Sequence, residues 1–324
     1  MSGFDLTTLL KTALPEVVPS GVGRWTFPLA PGARESVTME LVPHWACFTL
    51  PSRFDQPPSP MMMLLRQSAW PGNVKVIAEA AYLALRAEVP LIVETVADRS
   101  WVTRHVGKVV QGLRVAAENR SPDMSADSDS GCDTIPELLA DRCRAAGWHA
   151  AVKADGEIQV DIEPRSVRRV VSIVRQQAGL RARVQLGIGE FARTGKEHLR
   201  AVTHFLLRAS SSLRFARAWV SGEGGSLLEA GFECTISVCA SDGPLVMAIG
   251  ALTTACDLFA CEAEALIENT TVAHRYLQVA QGVRRCLPQP IMQLHAPKSD
   301  LILPLAAGAA VPVHQPYTRE GAST

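Results

Sequence analysis

The sequence predicts an α+β protein of two tandem units, each an α/β sandwich with an antiparallel sheet and segregated helices. Three observations point there. The chain repeats itself about 143 residues apart: Leu64-Leu65-Arg66-Gln67-Ser68 is answered by Leu206-Leu207-Arg208-Ala209-Ser210, and Arg86 to Asp98 aligns without gaps to Glu229 to Ser241. Both copies then show period-two alternation. Val89, Leu91, Val93 and Thr95 alternate with Glu88, Pro90, Ile92 and Glu94; Phe232, Cys234, Ile236 and Val238 alternate with Gly231, Glu233, Thr235 and Ser237. Such a pattern puts one set on the buried face of a strand and the other, here holding Glu88 and Glu233, on the opposite face. Each strand finally runs into a helix. Val102, Val106, Val109 and Leu113 fall at i, i+4, i+7 and i+11, and Leu245, Ile249, Leu252 and Cys256 repeat that spacing. Ser100 and Asp242 stand at N-cap positions, with Pro244 in the first turn of the second helix.

Length and composition agree with two units. A chain of 324 residues suggests about two domains, and a hydrophobic fraction of 47% suits ordinary cores. The formal net charge is zero, so no global signal points to nucleic acid. Met1 to Asp5 shows no basic stretch leading into an apolar core. Thr253, Thr254 and Asp257 interrupt the most apolar helix, and Leu301 to Val313 is short and holds two prolines, so no membrane insertion is expected. The reading is a soluble, cytoplasmic protein.

Five segments follow in order. Residues 1–19 carry a short helical pattern (Leu6, Leu9, Leu10) ended by Pro15 and Pro19. Residues 20–119 form the first unit, with early strands around Trp25 to Phe27, Val37 to Leu41 and His44 to Leu50. Residues 120–132 are polar and acidic and read as a linker. Residues 133–281 form the second unit. Thr134 and Glu137 resemble a capping box around Pro136, the helix carries Leu138, Leu139, Cys143 and Ala146, and Gly147 ends it. Trp148 to Ala154 and Glu157 to Ile162 flank Asp155-Gly156, a hairpin signal. Strands over Val167 to Val174 and Arg181 to Ile188 precede a helix from Lys196 to Ala209. Leu213 to Val220 and Leu227 to Cys239 form a hairpin around Glu223-Gly224-Gly225. Helices from Pro244, and with Val272, Tyr276 and Val279, close the unit. Residues 282–324 hold six prolines, which exclude a long helix.

The second unit, in the order helix, strands, helix, hairpin, helix, resembles the type III secretion chaperone-like fold, including YbjN-type domains. The resemblance is carried by Phe205-Leu206-Leu207-Arg208, Leu213-Arg214-Phe215-Ala216-Arg217, the strand ending at Ala240, and Val272-Ala273-His274-Arg275-Tyr276-Leu277. It covers most of 133–281 and, more faintly, 60–119. The first unit departs from the pattern in lacking an evident helix just before its strands. The resemblance implies non-enzymatic domains that pair with one another and bind segments of other proteins. A duplicated pair would then form a pseudo-dimer within one chain.

Motifs for chemistry are sparse. Cys234 and Cys239 lie five apart on a strand and point to opposite faces; Cys256 and Cys261, five apart on a helix, diverge by roughly 140°. No Cys-x-x-Cys pair occurs, so buried free thiols are expected, with Cys132 the exposed one. The eight histidines form neither HExxH nor another known pattern, and Gly222 to Gly225 lacks the Lys-Ser/Thr of a phosphate loop. No catalytic residue, cofactor or metal is expected. One charge feature stands out. Arg165 to Arg217 holds eleven arginines and one lysine against Glu190 and Glu197. Arg181 and Arg183 share one face of a strand, Arg168, Arg169 and Arg175 extend the stretch, and Arg214 belongs to it. These six are the candidates for a partner- or anion-binding surface. The alternative is a solvated strand face; few aromatics lie within the stretch, which disfavours nucleic acid. The expected function is an adaptor or chaperone for another protein's extended or acidic segment, against a structural subunit or an enzyme with a dispersed site. Oligomeric state is left open.

Overall fold

Strand-forming alternation in the first unit produces β1 (Val18–Gly21), β2 (Arg24–Pro28), β3 (Ser36–Val42) and β4 (Trp45–Ser52), then α1 (Pro60–Gln67), β5 (Lys75–Ala78), β6 (Leu83–Pro90) and α2 (Val96–Ala117). The second contains α3 (Pro136–Ala145), β7 (Ala150–Val152), β8 (Ile158–Ile162), β9 (Arg169–Gln176), β10 (Gly179–Gly189), α4 (Lys196–Ser212), β11 (Arg217–Ser221), β12 (Leu228–Ile236), α5 (Gly243–Glu268) and α6 (Thr270–Cys286). The structure, a computed structural model, describes residues 11–286 apart from 13, 15, 31–32, 34, 53–58, 79–82, 92–95, 119–135, 177–178, 190–194, 222–227 and 237–242.

Both units have the same topology. The first sheet runs β1-β2-β3-β4-β6-β5 and the second β7-β8-β9-β10-β12-β11, all neighbours antiparallel. In each, four strands lead through a helix to a two-stranded return and a long helix. The expected α+β fold with two tandem units is what the chain adopts. The apolar stripes sit as the spacing predicts: Val102, Val106, Val109 and Leu113 are buried under the first sheet, and Leu245, Ile249, Leu252 and Cys256 under the second. Gly147 takes φ 94 at the end of α3, a conformation that suits glycine.

Several expectations are displaced. Strand β6 spans Leu83–Pro90, so of the alternating run Val89 to Thr95 only Val89 and Pro90 lie in it, and 92–95 lie outside the described residues. Helix α2 starts at Val96, which puts Ser100 inside it. Pro19 lies within β1 and does not stop a helix; Leu6, Leu9 and Leu10 lie outside the described residues, as do Thr134, Asp242, Val238, Cys132, Cys239 and the Glu223-Gly224-Gly225 turn. The linker 120–132 and everything after Cys286 are outside as well, while α6 runs five residues past the expected boundary at 281. On α6 it is Ala273 and Leu277 that are buried, with Val272 and Val279 exposed, and on α3 Leu138 is exposed. Cys261 is also exposed, on the outer side of α5. Helix α5 is long and apolar enough to cross a membrane by length and composition, contrary to the interrupted span expected; its buried side packs on β10 and β12 as a core helix does.

The largest departure concerns Glu88 and Glu233. Both are fully buried, although each sits on the sheet face away from the long helices. The cause is the other unit. Helix α4 packs on β5 and α1 on β11, so each unit lays part of itself over its neighbour. Lys75 and Arg217 open β5 and β11 at positions 142 residues apart, and both are fully buried. Lys75 Nζ lies 3.1 Å from Glu88 Oε2 and donates to the carbonyls of Leu213 and Ala216 in the second unit. Arg217 donates to Glu233 Oε1 at 3.0 Å and, across to the first unit, to the carbonyls of Trp70 and Val74 (both 2.9 Å) and Ser68 (3.2 Å). The pattern continues two residues earlier. Asn73 and Phe215 both take left-handed backbone (φ 57 and 61). The Asn73 side chain bonds the backbone N–H and carbonyl of Thr235, while the Phe215 N–H donates to Glu88. The two units thus meet about a local two-fold, with a buried cation crossing each way. Loss of one partner from such a buried pair costs about 3–5 kcal/mol, since the other charge is left uncompensated.

Candidate functional site

Alternation along β10 decides which arginines come together. Leu180, Ala182, Val184 and Leu186 face the helices and are buried; Arg181 and Arg183 project from the opposite face. On that face the register places Ser172 opposite Arg183 and Val174 opposite Arg181 on one side, with Glu233 and Thr235 on the other. Glu233 in turn pairs with Arg217 on β11. A row Arg217, Glu233, Arg183 therefore crosses three strands. Arg183 Nε donates to Glu233 Oε2 at 2.7 Å, and Arg217 Nε takes the other oxygen. The Arg183 guanidinium also lies 4.3 Å above the Trp219 ring, a cation–π contact that fixes its plane.

Arg181 has a neutral partner. With the Gln176 amide oxygen turned toward it, the guanidinium donates at 2.8 Å. Burial first, then the neighbouring Arg183, push its pKa below the ordinary arginine range, against the pull of Glu233. Three guanidinium groups thus share one carboxylate.

The other expected candidates lie elsewhere. Arg169 pairs with Ile162 and Arg175 with Leu180, so both belong to the helix-covered face. Arg169 is held there by a two-pronged bond to Glu264 of α5. Arg168 donates to Asp161 at 2.6 Å, which holds that carboxyl below its usual range; His149 lies 2.9 Å from the same oxygen. Arg168, Asp161 and His149, with Trp148, Glu163 and Thr253, line an open cleft of about 580 Å³ at the β7–β8 end. Arg214 belongs to the turn that reaches over the first unit, where its charge acts on Cys47. The structure brings Arg181 and Arg183 together and separates the other four from them.

Glu233, Arg217, Trp219 and Gln176 were not among the candidates, though one signal was present. A hairpin centred on Gly225 sets Arg217 directly opposite Glu233, an opposite-charge pair. Trp219 then follows on the same face. Among the described residues no three His, Cys, Asp or Glu side chains are grouped to hold a metal. No family model, curated protein or solved structure matches the chain.

Proposed function

We propose that this chain is a non-enzymatic adaptor or chaperone-like protein that holds a segment of a partner protein on a pseudo-dimeric scaffold. The observation that carries the reading is the pair of sheet faces. Each unit fills one face with helices and leaves much of the other polar and open: Thr26, Thr38, Glu40 and Thr49 on the first, Gln159, Ser172, Arg181 and Arg183 on the second. A rigid, half-solvated sheet is a platform for a bound segment. The shared topology of the two units supplies the pseudo-dimeric arrangement, and the partner-binding role is the one that the resemblance to type III secretion chaperone-like domains implies.

The face is favoured over the sheet edges. Outer edge strand β1 holds Pro19 and a register shift, and β7 is three residues long; both devices discourage an added strand. The inner edge strands, β5 and β11, pack against helices of the other unit.

The test is purification of the tagged full chain from its native lysate, identification of what co-purifies, and calorimetry with that protein made separately. The expected result is one partner bound at a defined stoichiometry through a short segment. Recovery of the chain alone as a single species overturns the reading.

A further inference from the structure

On the open face of β10, Arg181 and Arg183 stand two residues apart beside a single described carboxylate, Glu233. Resting on the adaptor reading, we infer that Arg181 and Arg183 form a seat for the carboxylates of an extended acidic peptide segment, running along the open face of β10. Charge complementarity sets the occupant. Arg181, Arg183 and Arg217 surround a single carboxylate, Glu233, and both of its oxygens are already taken by Arg217 and Arg183. Glu233 is the one carboxylate that acts on Arg181 among the described residues, and the other nearby charges are cationic. Among the described residues the cluster therefore carries two positive charges more than its one carboxylate balances, in a half-buried place where screening by water is reduced.

Spacing sets the form of the segment. Arg181 and Arg183 are alternate residues of one strand, roughly 7 Å apart along it. Acidic residues at alternate positions of an extended peptide have the same separation. Both guanidinium groups are also held in advance, Arg183 by Glu233 and the Trp219 ring, Arg181 by Gln176. A fixed guanidinium plane meets a carboxylate with two parallel N–H donors and loses little side-chain freedom on doing so.

The test uses the full chain and a fluorescein-labelled peptide, Glu-Ser-Glu-Ser-Glu-Ser, followed by anisotropy. Wild type should bind, and binding should weaken tenfold or more between about 50 and 300 mM salt, as screening of partly exposed charges requires. Arg181→Gln should weaken it tenfold or more. This variant leaves the Glu233 pairs intact, and a thermal melt matching wild type confirms the fold. Arg168→Gln, whose guanidinium is engaged by Asp161, should stay within twofold. Absent binding by wild type, or equal binding by Arg181→Gln, overturns the seat. The outcome separates from that of the adaptor reading. A co-purified partner that binds Arg181→Gln as it binds wild type removes the seat and leaves the adaptor. A peptide that binds as expected while no partner is recovered leaves the seat and removes the adaptor.

Discussion

His105 sits fully buried on α2, its ring stacked on Trp101 with centroids 4.8 Å apart and tilted against Phe215 of the other unit at 5.8 Å. Burial, with a smaller push from Lys108, brings its pKa down to about 3. The folded protein thus takes up that proton only near pH 3, whereas the unfolded chain takes it up near 6.5. Between these values the unfolded state binds more protons, so this residue's contribution to stability is complete above pH 6.5 and falls as the pH drops, by about 1.4 kcal/mol per unit at most. The prediction is that the difference in unfolding free energy between wild type and His105→Gln narrows steadily from pH 7 to pH 4 in denaturant melts. A difference constant with pH would refute it. At this scale the sequence is least legible. An isolated histidine on a helix carries no sign of what covers it, and alternation places Glu88 and Glu233 only on the face opposite the apolar set, because their burial comes from residues more than a hundred positions away.

Helix α2 shows how much an element's periodicity discloses. Its i, i+4, i+7, i+11 stripe was legible because one face meets a sheet and the other does not. Strand β6, which precedes it, was misplaced for the opposite reason. Its second half, Ala87 to Pro90, is buried throughout, so it has no alternation to read, and the alternating run just beyond it is the stronger pattern. Helix α2 also packs against the short turn Pro71–Asn73 at backbone distance. A Cβ on Gly112 would stand 2.2 Å from the Pro71 carbonyl oxygen, and one on Gly72 would stand 2.7 Å from the Val109 Cα. The contact matters beyond the first unit, because that turn supplies the Trp70 carbonyl and Asn73 to the second. Gly112→Ala should therefore destabilise by about 1–3 kcal/mol, as overpacking does. Gly107→Ala, on the same helix with open space around it, should be neutral or stabilising. Equal melting temperatures for the two variants would show that the turn yields freely.

The two halves of the molecule are related by duplication, yet their contact is specific to the pair. At equivalent places the first unit offers Asn73 and the second Phe215. Phe215 fills a site made by Trp45 and His105 of the first unit, its ring 6.0 Å from that of Trp45, while Asn73 satisfies the backbone of Thr235. The repeat was legible in the sequence; this divergence was not, because it lies in side chains that are complementary only after folding. Such an interface needs no covalent link. With a protease site placed in 120–132 and cut after folding, the two fragments should co-elute as a one-to-one complex, since each holds a buried cation that its own carboxylate and the other's carbonyls satisfy together. In Arg217→Met the same cut should give fragments that separate or precipitate, because Glu233 and the Trp70, Val74 and Ser68 carbonyls lose their shared donor, at a cost of about 3–5 kcal/mol. Size-exclusion chromatography of the cut proteins decides it: wild-type fragments that part on cutting would mean that the linker, and not the buried clasp, holds the scaffold together.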